Sequence, residues 1–237
     1  MKVHKMNFVK KRKYFPPVSR SIEEGLLAVS EYVNAELLLE AYSYAIFPWP
    51  FDESPILWFS PEQRGVLFFK KLRKDKKLLN KIKKYNWRFT WNRCFDEVIA
   101  QCAKAYRPGQ AGSWITQALQ AAYKEFHKLG YAHSLEVWEG EDLVGGLYGV
   151  YVGDYFSAES MFFLKPNASK AALYHLIESL RLSGHEWLDI QMVTDFLKKL
   201  GGEYVTRQRF LSMVKRNRQG NRVDLPIELK KSMAVSD

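Results

Sequence analysis

The stretch from residue 133 to 163 constrains the fold more than any other part of the sequence. Three consecutive segments here are rich in apolar, β-branched and aromatic residues, namely His133 to Trp138, Leu143 to Val152 and Tyr155 to Phe163. The dipeptide Gly153-Asp154 separates the last two and is typical of a two-residue hairpin turn. Such strands are stable only when other elements cover their apolar side chains, so this stretch predicts a sheet with helices packed on it.

Helical periodicity surrounds this sheet. Leu119, Ala122, Tyr123 and Phe126 follow the spacing of one helix face. We predict helices that begin at the caps Asn34, Asn92, Thr116 and Asn167, a short strand from Trp187 to Gln191, and a helix through Leu200 that ends at Gly201-Gly202. From residue 133 onward the order is β-β-β-α-β-α, which indicates an α+β fold.

Composition changes along the chain suggest four parts. Residues 1–18 are basic and end in Pro16-Pro17, so we predict a flexible arm. Residues 19–69 form a small N-terminal domain that contains the proline-broken run from Ile46 to Phe51 and a strand from Arg64 to Phe69. We expect residues 70–218 to form the larger domain, and residues 219–237 to be a C-terminal tail.

Basic residues are grouped in three places. The formal net charge is +10, and the groups lie between Lys2 and Lys13, between Lys70 and Lys84, and between Arg207 and Arg218. Lysine and arginine gain free energy when they release counterions from phosphates, so the grouping favours RNA or DNA as a partner. A merely solvated surface remains the alternative for any single group.

Several kinds of site and location have no signal in the sequence. Cys94 and Cys102 form neither a metal pattern nor a disulfide framework. No Walker P-loop is present, and the pair His175 and Glu178 is typical of a helix surface rather than of a metal site. The first residues lack the apolar stretch of a signal peptide, and no window reaches the ~18 apolar residues of a membrane span. We therefore expect a cytoplasmic protein without a bound metal.

Two carboxylates stand among apolar strand residues. Asp189 and Gln191 alternate along one predicted strand, so both side chains point to the same face. Glu159 lies in the otherwise apolar strand from Tyr155 to Phe163. Buried polar groups are costly unless they are satisfied, which makes all three candidates for chemistry. The alternatives are a structural pair for Asp189 and Gln191, and a salt bridge to a nearby lysine for Glu159.

A series of segments resembles the bacterial leucyl/phenylalanyl-tRNA–protein transferase family. These segments occur in the order of the family between about residues 20 and 215, and the ordered set is far more specific than any one member. They are Gly25 to Ala28, Tyr42 to Trp49, Ile56 to Pro61, Ser113 to Thr116, Ala122-Tyr123, Leu129 to Trp138, Leu143 to Val150, Glu159 to Phe162, Asn167 to Lys170, Leu188 to Gln191 and Leu200 to Gly202.

This resemblance implies a fold and a reaction. The fold is α+β, with a small N-terminal domain and a C-terminal domain of the N-acetyltransferase-like (GNAT) kind. The reaction passes Leu or Phe, and sometimes Met, from aminoacyl-tRNA to proteins with an N-terminal Arg or Lys, which marks those proteins for degradation. The resemblance implies no cofactor, and we expect a monomer.

Roles for individual residues also follow from the resemblance. Asp189 orients the incoming amine and draws off its proton, Gln191 bonds the amine or the ester carbonyl, and Glu159 bonds the aminoacyl-adenosine end. The remaining substrate-binding residues that it implies are Trp49, Trp114, Tyr123, Leu147, Phe156, Ser160 and Met161. For tRNA phosphates we expect Lys76, Lys77, Lys83, Lys84, Arg207 and Arg209. The chain departs from the family pattern at Ala158, Thr194 and Phe196.

Three other functions fit less well. An acetyltransferase of the same fold needs a glycine-containing phosphate loop, which Leu164 to Asn167 lacks. The ordered segments do not suggest a cell-wall transferase that uses aminoacyl-tRNA. A plain RNA-binding module presents exposed aromatic residues on a sheet, whereas the aromatic residues here cluster around prolines and loops.

Overall fold

The computed structural model describes residues 12–22, 24–50, 55–105 and 113–219. Within these residues the chain forms two sheets. The smaller sheet is antiparallel, with strand order β1-β3-β2. Its strands are β1 (Leu26–Ser30), β2 (Phe47–Pro48) and β3 (Ile56–Phe59). Helix α1 (Ala35–Ser43) lies between β1 and β2, and the Asn34 side chain caps it by accepting from the Leu37 N–H at 2.9 Å.

The larger sheet has seven strands in the described residues, in the order β10-β4-β9-β8-β7-β6-β5. All neighbouring pairs are antiparallel except β8 and β9, which are parallel. The strands are β4 (Gln63–Phe68), β5 (Arg88–Trp91), β6 (Ala132–Glu139), β7 (Asp142–Val152), β8 (Tyr155–Phe163), β9 (Trp187–Gln191) and β10 (Glu203–Thr206).

Helices cover both faces of this sheet. They are α2 (Lys76–Ile82), α3 (Phe95–Lys104), α4 (Gln117–Lys128), α5 (Ala168–Leu182), α6 (Asp195–Leu200) and α7 (Arg207–Gln219). Helices α1, α3 and α4 bury one face, which we call the α4 face, against Tyr148 and Val150 of β7. Helix α5 buries the other face, the α5 face, against Leu147 and Tyr151 of the same strand. Strand alternation therefore gives each face its own apolar core.

The central strands agree with the sequence prediction. Strands β6, β7 and β8 occupy the three predicted segments, and α5, β9 and α6 follow in the predicted order. Gly153 and Asp154 both have positive φ, 64° and 61°, as a type I′ hairpin turn requires. The α+β fold, with a small N-terminal part and a larger sheet domain, is confirmed.

The N-terminal boundaries differ from the prediction. Strand β4 pairs with β9 and β10 of the larger sheet, so the two sheets divide between β3 and β4 rather than near residue 70. The predicted arm 1–18 lies outside the described residues up to residue 11. The described part of this arm, from residue 12 onward, is packed on α1. The buried Glu40 carboxylate of that helix accepts from the backbone N–H of Lys13, Tyr14 and Phe15 at 2.9–3.0 Å. The tail after residue 219 lies outside the described residues.

Two predicted helix caps also differ. Helix α3 begins at Phe95 after Cys94, while Asn92 has a φ of 55° and its side chain accepts from the Ser134 N–H at 2.9 Å. Asn167 precedes α5 with a φ of 73° and makes no side-chain cap. A cap residue normally has an extended backbone, and neither asparagine has one. Among the described residues, no helix combines the length and the apolar character needed to cross a bilayer.

Candidate active site

The parallel strands β8 and β9 meet at a single residue pair, Ser157 and Asp189. Beyond this pair each strand carries one more polar side chain, Glu159 on β8 and Gln191 on β9. The Gln191 amide Nε2 donates to Glu159 Oε1 at 2.8 Å and joins the two strands again. These four side chains form a buried polar group on the α4 face, as the alternation of Asp189 and Gln191 predicted.

Asp189 is fully buried and accepts four hydrogen bonds. Oδ1 accepts from Arg64 Nε at 2.9 Å and from the Gln191 backbone N–H at 3.0 Å. Oδ2 accepts from Arg64 Nη2 at 2.6 Å and from Ser157 Oγ at 2.9 Å. A carboxylate offers about four acceptor sites, so this one is fully used by the protein itself.

Arg64 is buried to the same degree and lies between two aromatic rings. Its guanidinium carbon is 4.4 Å from the centre of the Phe47 ring and 4.9 Å from that of Phe210. Burial alone lowers the pKa of Arg64, but the charge and hydrogen bonds of Asp189 outweigh burial and raise it. The pair is thus a two-pronged ion pair in a dry environment, which is the stronger kind.

Glu159 has the opposite character. Its Oε1 accepts from Gln191 and, at 2.9 Å, from Ser157 Oγ, whereas its Oε2 is buried and has no hydrogen-bond partner. The residue keeps 9% of its surface exposed, against 0% for Asp189. Burial raises the pKa of Glu159 to about 7, although Gln191, Ser157 and the nearby hydroxyl of Tyr42 act against that rise.

Irregular backbone positions both polar residues. Glu159 is an extra residue in β8, because Tyr148 pairs with Ser160 and the next residue of β7 pairs with Ala158. Such bulges re-aim side chains and are common beside active sites. Gln191 has a φ of 56°, and the Met192 N–H bonds the Ile190 carbonyl across it. A left-handed non-glycine residue in a turn this tight is strained, and strain of this kind clusters at functional sites.

A glycine on β4 makes room for this turn. A Cβ at Gly65 would lie 2.9 Å from the backbone of Met192, closer than ordinary contacts allow. The sequence therefore needs glycine beside Arg64, so that the turn at Gln191 can pack on β4.

Two tyrosines lie near the carboxylates on the α4 face. The hydroxyls of Tyr42 on α1 and Tyr123 on α4 are 2.7 Å apart, and both side chains are fully buried. Burial raises the pKa of each, and the nearby charge of Glu159 raises both further. The pair is thus kept neutral and can only exchange hydrogen bonds.

The structure brings together only some of the predicted substrate-binding residues. Trp49 and Trp114 stack with ring centres 5.3 Å apart, and with Tyr123 they belong to the apolar cluster of the α4 face. Ser160 is half-buried and follows Glu159. Leu147, Phe156 and Met161 pack on the α5 face instead. The prediction placed the six apolar and aromatic residues around one hollow, and the sheet separates them into two sets of three.

The predicted tRNA-binding residues are not equally accessible. Lys76, Lys77, Lys83, Lys84 and Arg209 are exposed. Arg207 is not free, because its guanidinium donates to the Ser60 carbonyl at 2.6 Å, to Glu62 at 2.9 Å and to the Ser21 hydroxyl. These bonds tie α7 to the N-terminal part of the chain, so Arg207 has a structural role here.

A basic cavity of about 570 Å³ lies between α2, α5 and α6. Four cationic and two acidic side chains line it, and the Lys170 ammonium is 5.1 Å from the centre of the Phe196 ring. Phe196, one of the departures from the family pattern, therefore forms part of its wall. The lining residues are Arg73, Lys74, Asp75, Leu78, Lys170, Asp195, Phe196, Lys199 and Leu200.

Sequence reasoning missed Arg64, Ser157 and Tyr42. A lone arginine before the apolar run from Gly65 to Phe68 was a usable signal for Arg64. Ser157 precedes Glu159 by two residues, the same spacing that drew attention to Asp189 and Gln191. No local signal pointed to Tyr42. In the part of the chain that the structure describes, no three His, Cys, Asp or Glu side chains are grouped to hold a metal ion.

Comparison with known proteins decides the family. A model of the leucyl/phenylalanyl-tRNA protein transferase matches residues 66–215, and a model of the N-terminal domain of that transferase matches residues 33–62. The chain belongs to this family. The two matches meet where the two sheets divide. Members of the family add Leu or Phe from aminoacyl-tRNA to protein N-termini, and this is the activity of the chain.

Relatives named as leucyl/phenylalanyl-tRNA–protein transferases support this assignment over most of their length. The protein of Maridesulfovibrio salexigens is 46% identical over 201 residues, 84% of each chain. That of Syntrophus aciditrophicus is 43% identical over 203 residues, which cover 86% of this chain and 85% of the relative. Among solved structures, L-PGS from Bacillus licheniformis is 11% identical with a TM-score of 0.43, over 82% of this chain and 73% of that one.

Proposed function

We propose that the polar group formed by Ser157, Glu159, Asp189 and Gln191 is the transfer site, and that it takes acceptors with an N-terminal Arg or Lys. The observation that carries this proposal is the bridge between Gln191 and Glu159 across the end of the β8–β9 pair. It holds an acid and an amide where two strands separate, with one carboxylate oxygen unpaired. An ester donor makes amide formation favourable without ATP, so the site has mainly to hold amine and ester in position.

The transferred side chain would enter between the separating strands toward the α5 face. Leu147 and Met161 are opposite each other on β7 and β8, and Phe156 is buried on the same face. An apolar pocket gains only ~1–3 kcal/mol per methylene, so its shape must exclude β-branched side chains. The splitting of the predicted residues into two sets supports separate places for the amino acid and for the terminal base.

The set of aromatic residues on the α4 face suits the terminal base of the tRNA. The stacked rings of Trp49 and Trp114 offer a flat aromatic surface near Tyr123, and nucleic-acid bases stack on such rings at ~1–3 kcal/mol each. Ser160, beside Glu159, is placed to bond the ribose or the ester. This division assigns a role to each predicted substrate-binding residue.

The basic cavity and the exposed lysines of α2 and of the turn that follows it would hold the acceptor stem. Phosphate contacts position a nucleic acid without reading its sequence. We include Lys76, Lys77, Lys83, Lys84 and Arg209, leave out Arg207, and add Lys170 and Lys199 of the cavity. We further propose that the protein acts in the cytoplasm as a monomer, without a membrane partner or a cofactor.

A transfer assay tests the function directly. The purified protein is incubated with labelled leucyl-, phenylalanyl- or isoleucyl-tRNA and with peptides that begin with Arg, Lys or Ala. We expect label from the Leu and Phe donors on the Arg and Lys peptides, and at least tenfold less in the other combinations. Acetyl-CoA replaces the tRNA donor in a parallel reaction. Acetylated peptide, or equal use of Ala and Arg peptides, would contradict the proposal.

Salt dependence tests the tRNA surface. Changing Lys76, Lys77, Lys83 and Lys84 to Glu should raise the KM for charged tRNA. It should also lower the dependence of log kcat/KM on log salt by about one for each phosphate that the variant no longer neutralises. Lys104→Glu/Lys128→Glu, which changes exposed lysines of α3 and α4, is the control. If the control changes the salt slope per charge as much as the α2 variant does, the RNA does not lie on α2.

A further inference from the structure

Peptide transfer requires a group that handles one proton. The acceptor nitrogen must lose a proton when it forms the new bond, and the ribose oxygen must gain one when it leaves. A side chain can do this only if it has an acceptor site free, lies within reach, and holds a proton at the working pH for part of the time.

Asp189 does not meet the first condition. Arg64 occupies one site on each of its oxygens, and the Gln191 N–H and Ser157 Oγ occupy the other two. Asp189 is thus fully engaged by the protein itself, and it fixes the position of Gln191 through the Gln191 backbone N–H.

Glu159 meets all three conditions. Its Oε2 has no hydrogen-bond partner, and the side chain is only slightly exposed. The Ser157 hydroxyl has one hydrogen and is 2.9 Å from both carboxylates, so it can donate to only one of them at a time. When Ser157 donates to Asp189, Glu159 Oε1 still accepts from Gln191, so a proton on Oε2 leaves the hydrogen bonds of the group intact.

We propose that Glu159 takes the proton from the acceptor amine and returns it to the leaving ribose oxygen, while Arg64 is a positioning residue that holds Asp189 and, through it, Gln191. The inference rests on the transfer site proposed above. It moves the proton-accepting role, which the family resemblance suggested for Asp189, to the neighbouring carboxylate.

The step balances without another reactant. The neutral amine nitrogen attacks the ester carbonyl carbon, and the new C–N bond forms as the proton passes from nitrogen to Glu159 Oε2. The bond between the carbonyl carbon and the ribose oxygen then breaks, and the same proton passes to that oxygen. Glu159 ends ionised as it began, and the products are an amide and a free tRNA hydroxyl.

The groups around Glu159 fit this use. Asp189 on β9 adds a like charge, and Arg64 on β4 partly offsets it. Tyr42 on α1 and Tyr123 on α4 stay neutral and contribute no charge of their own. Because burial raises the pKa of Glu159 to about 7, its carboxyl group can take up and release a proton near neutral pH.

The pH dependence of Glu159→Gln tests the proposal, with leucyl-tRNA as donor and an Arg-Ala peptide as acceptor. The acceptor amine has a pKa of ~7.7–8, so the wild type needs two ionisations and log kcat/KM should rise with a slope near 2 below pH 6.5. In Glu159→Gln the slope should be near 1. The loss in kcat/KM should be ~10²–10⁴-fold at pH 8 and should shrink about tenfold for each pH unit below 7.

Glu136→Gln is the matched control, because Glu136 is a buried glutamate on the same face whose two oxygens both have partners. Its slope should stay near 2. Glu159→Asp keeps a carboxyl group and should keep the slope of 2 at reduced kcat, which provides a test if Glu159→Gln does not fold. A loss for Glu159→Gln that is the same at every pH would overturn the proton role. Absence of transfer by the wild type would instead overturn the proposed function.

Discussion

Glu136 on β6 and Glu159 on β8 are both buried on the α4 face of the same sheet, yet their surroundings differ. Glu136 Oε1 accepts from Ser134 Oγ at 2.5 Å and from the Cys94 N–H at 3.4 Å, and Oε2 accepts from Thr90 Oγ1 at 2.6 Å. Every one of these donors is neutral. Glu159 has donors on one oxygen only, and an ion pair lies beside it.

Burial raises the pKa of both glutamates, so a raised pKa alone does not separate a structural from a functional carboxylate. The number of acceptor sites that have no donor does distinguish the two carboxylates. The Glu136 carboxylate joins β5, β6 and the start of α3, and has no oxygen left for a substrate. Glu159 leaves one oxygen open at considerable cost, and such a cost persists in a fold when the open group has a use.

The largest expected effect on the free energy of unfolding comes from removing the cation beside Glu159. Arg64→Met leaves Asp189 as a buried anion without its partner, and breaking a buried pair in this way costs ~3–5 kcal/mol. The matched change near Glu136 is Thr90→Val, which removes a neutral donor to Glu136 and the acceptor of the Trp138 indole N–H, and it should cost ~1–3 kcal/mol. Urea unfolding at pH 7 measures both.

A second variant separates charge from packing. Arg64→Met/Asp189→Asn removes both charges and should recover part of the stability lost in Arg64→Met, while transfer activity stays low because Gln191 is no longer held by an anion. If Arg64→Met and Thr90→Val cost the same, the ion pair adds nothing beyond its hydrogen bonds, and the contrast between the two regions is not electrostatic.

Local patterns in the sequence singled out Glu159, Asp189 and Gln191, three of the four side chains in the polar group. The two-residue period put Asp189 and Gln191 on one face, and the turn at Gly153-Asp154 set the pairing of β7 with β8. The contact between Arg64 and Asp189 was out of reach of that reasoning, because the two residues are 125 positions apart and meet through the order of strands in the sheet. The same long-range pairing puts β4 in the larger sheet, beyond the boundary that composition suggested.

Strand alternation does not assign helices to faces where both faces of a strand are buried. Strands β6, β7 and β8 are apolar on both sides, so alternation tells which residues share a face but not which helix covers it. Leu147 and Tyr148 are neighbours in the sequence and belong to different cores. The bulge at Glu159 has no sequence signal at all, and it decides where the open carboxylate oxygen lies.

The next effect, on the order of 3 kcal/mol, is a difference in how stability depends on pH. The pKa of Glu159 is raised from 4.5 to about 7, so the folded protein binds more protons than the unfolded chain between these values. Its contribution to stability is therefore present below pH 4.5 and is lost as pH rises through 7. At 1.36 kcal/mol for each pH unit, the loss is roughly 3 kcal/mol.

Glu159→Gln removes this term, because an amide does not titrate. Relative to the wild type, the variant should gain stability as pH rises from 5 to 8, and at pH 8 it should be at least as stable as the wild type. Urea unfolding at pH 5, 6, 7 and 8 measures the difference, with the salt concentration held constant because the protein is strongly basic.

Glu136→Gln should behave differently in the same series. The new amide nitrogen is a donor that faces the hydroxyl and backbone donors of Ser134, Thr90 and Cys94, and the mismatch should cost ~1–3 kcal/mol at each pH. A buried carboxylate with donors on both oxygens thus stabilises the fold, whereas one with an open oxygen weakens it above neutral pH. If Glu159→Gln were less stable than the wild type at pH 8, Oε2 of Glu159 would have a partner in the folded protein. It would then not be free to accept a proton from an amine.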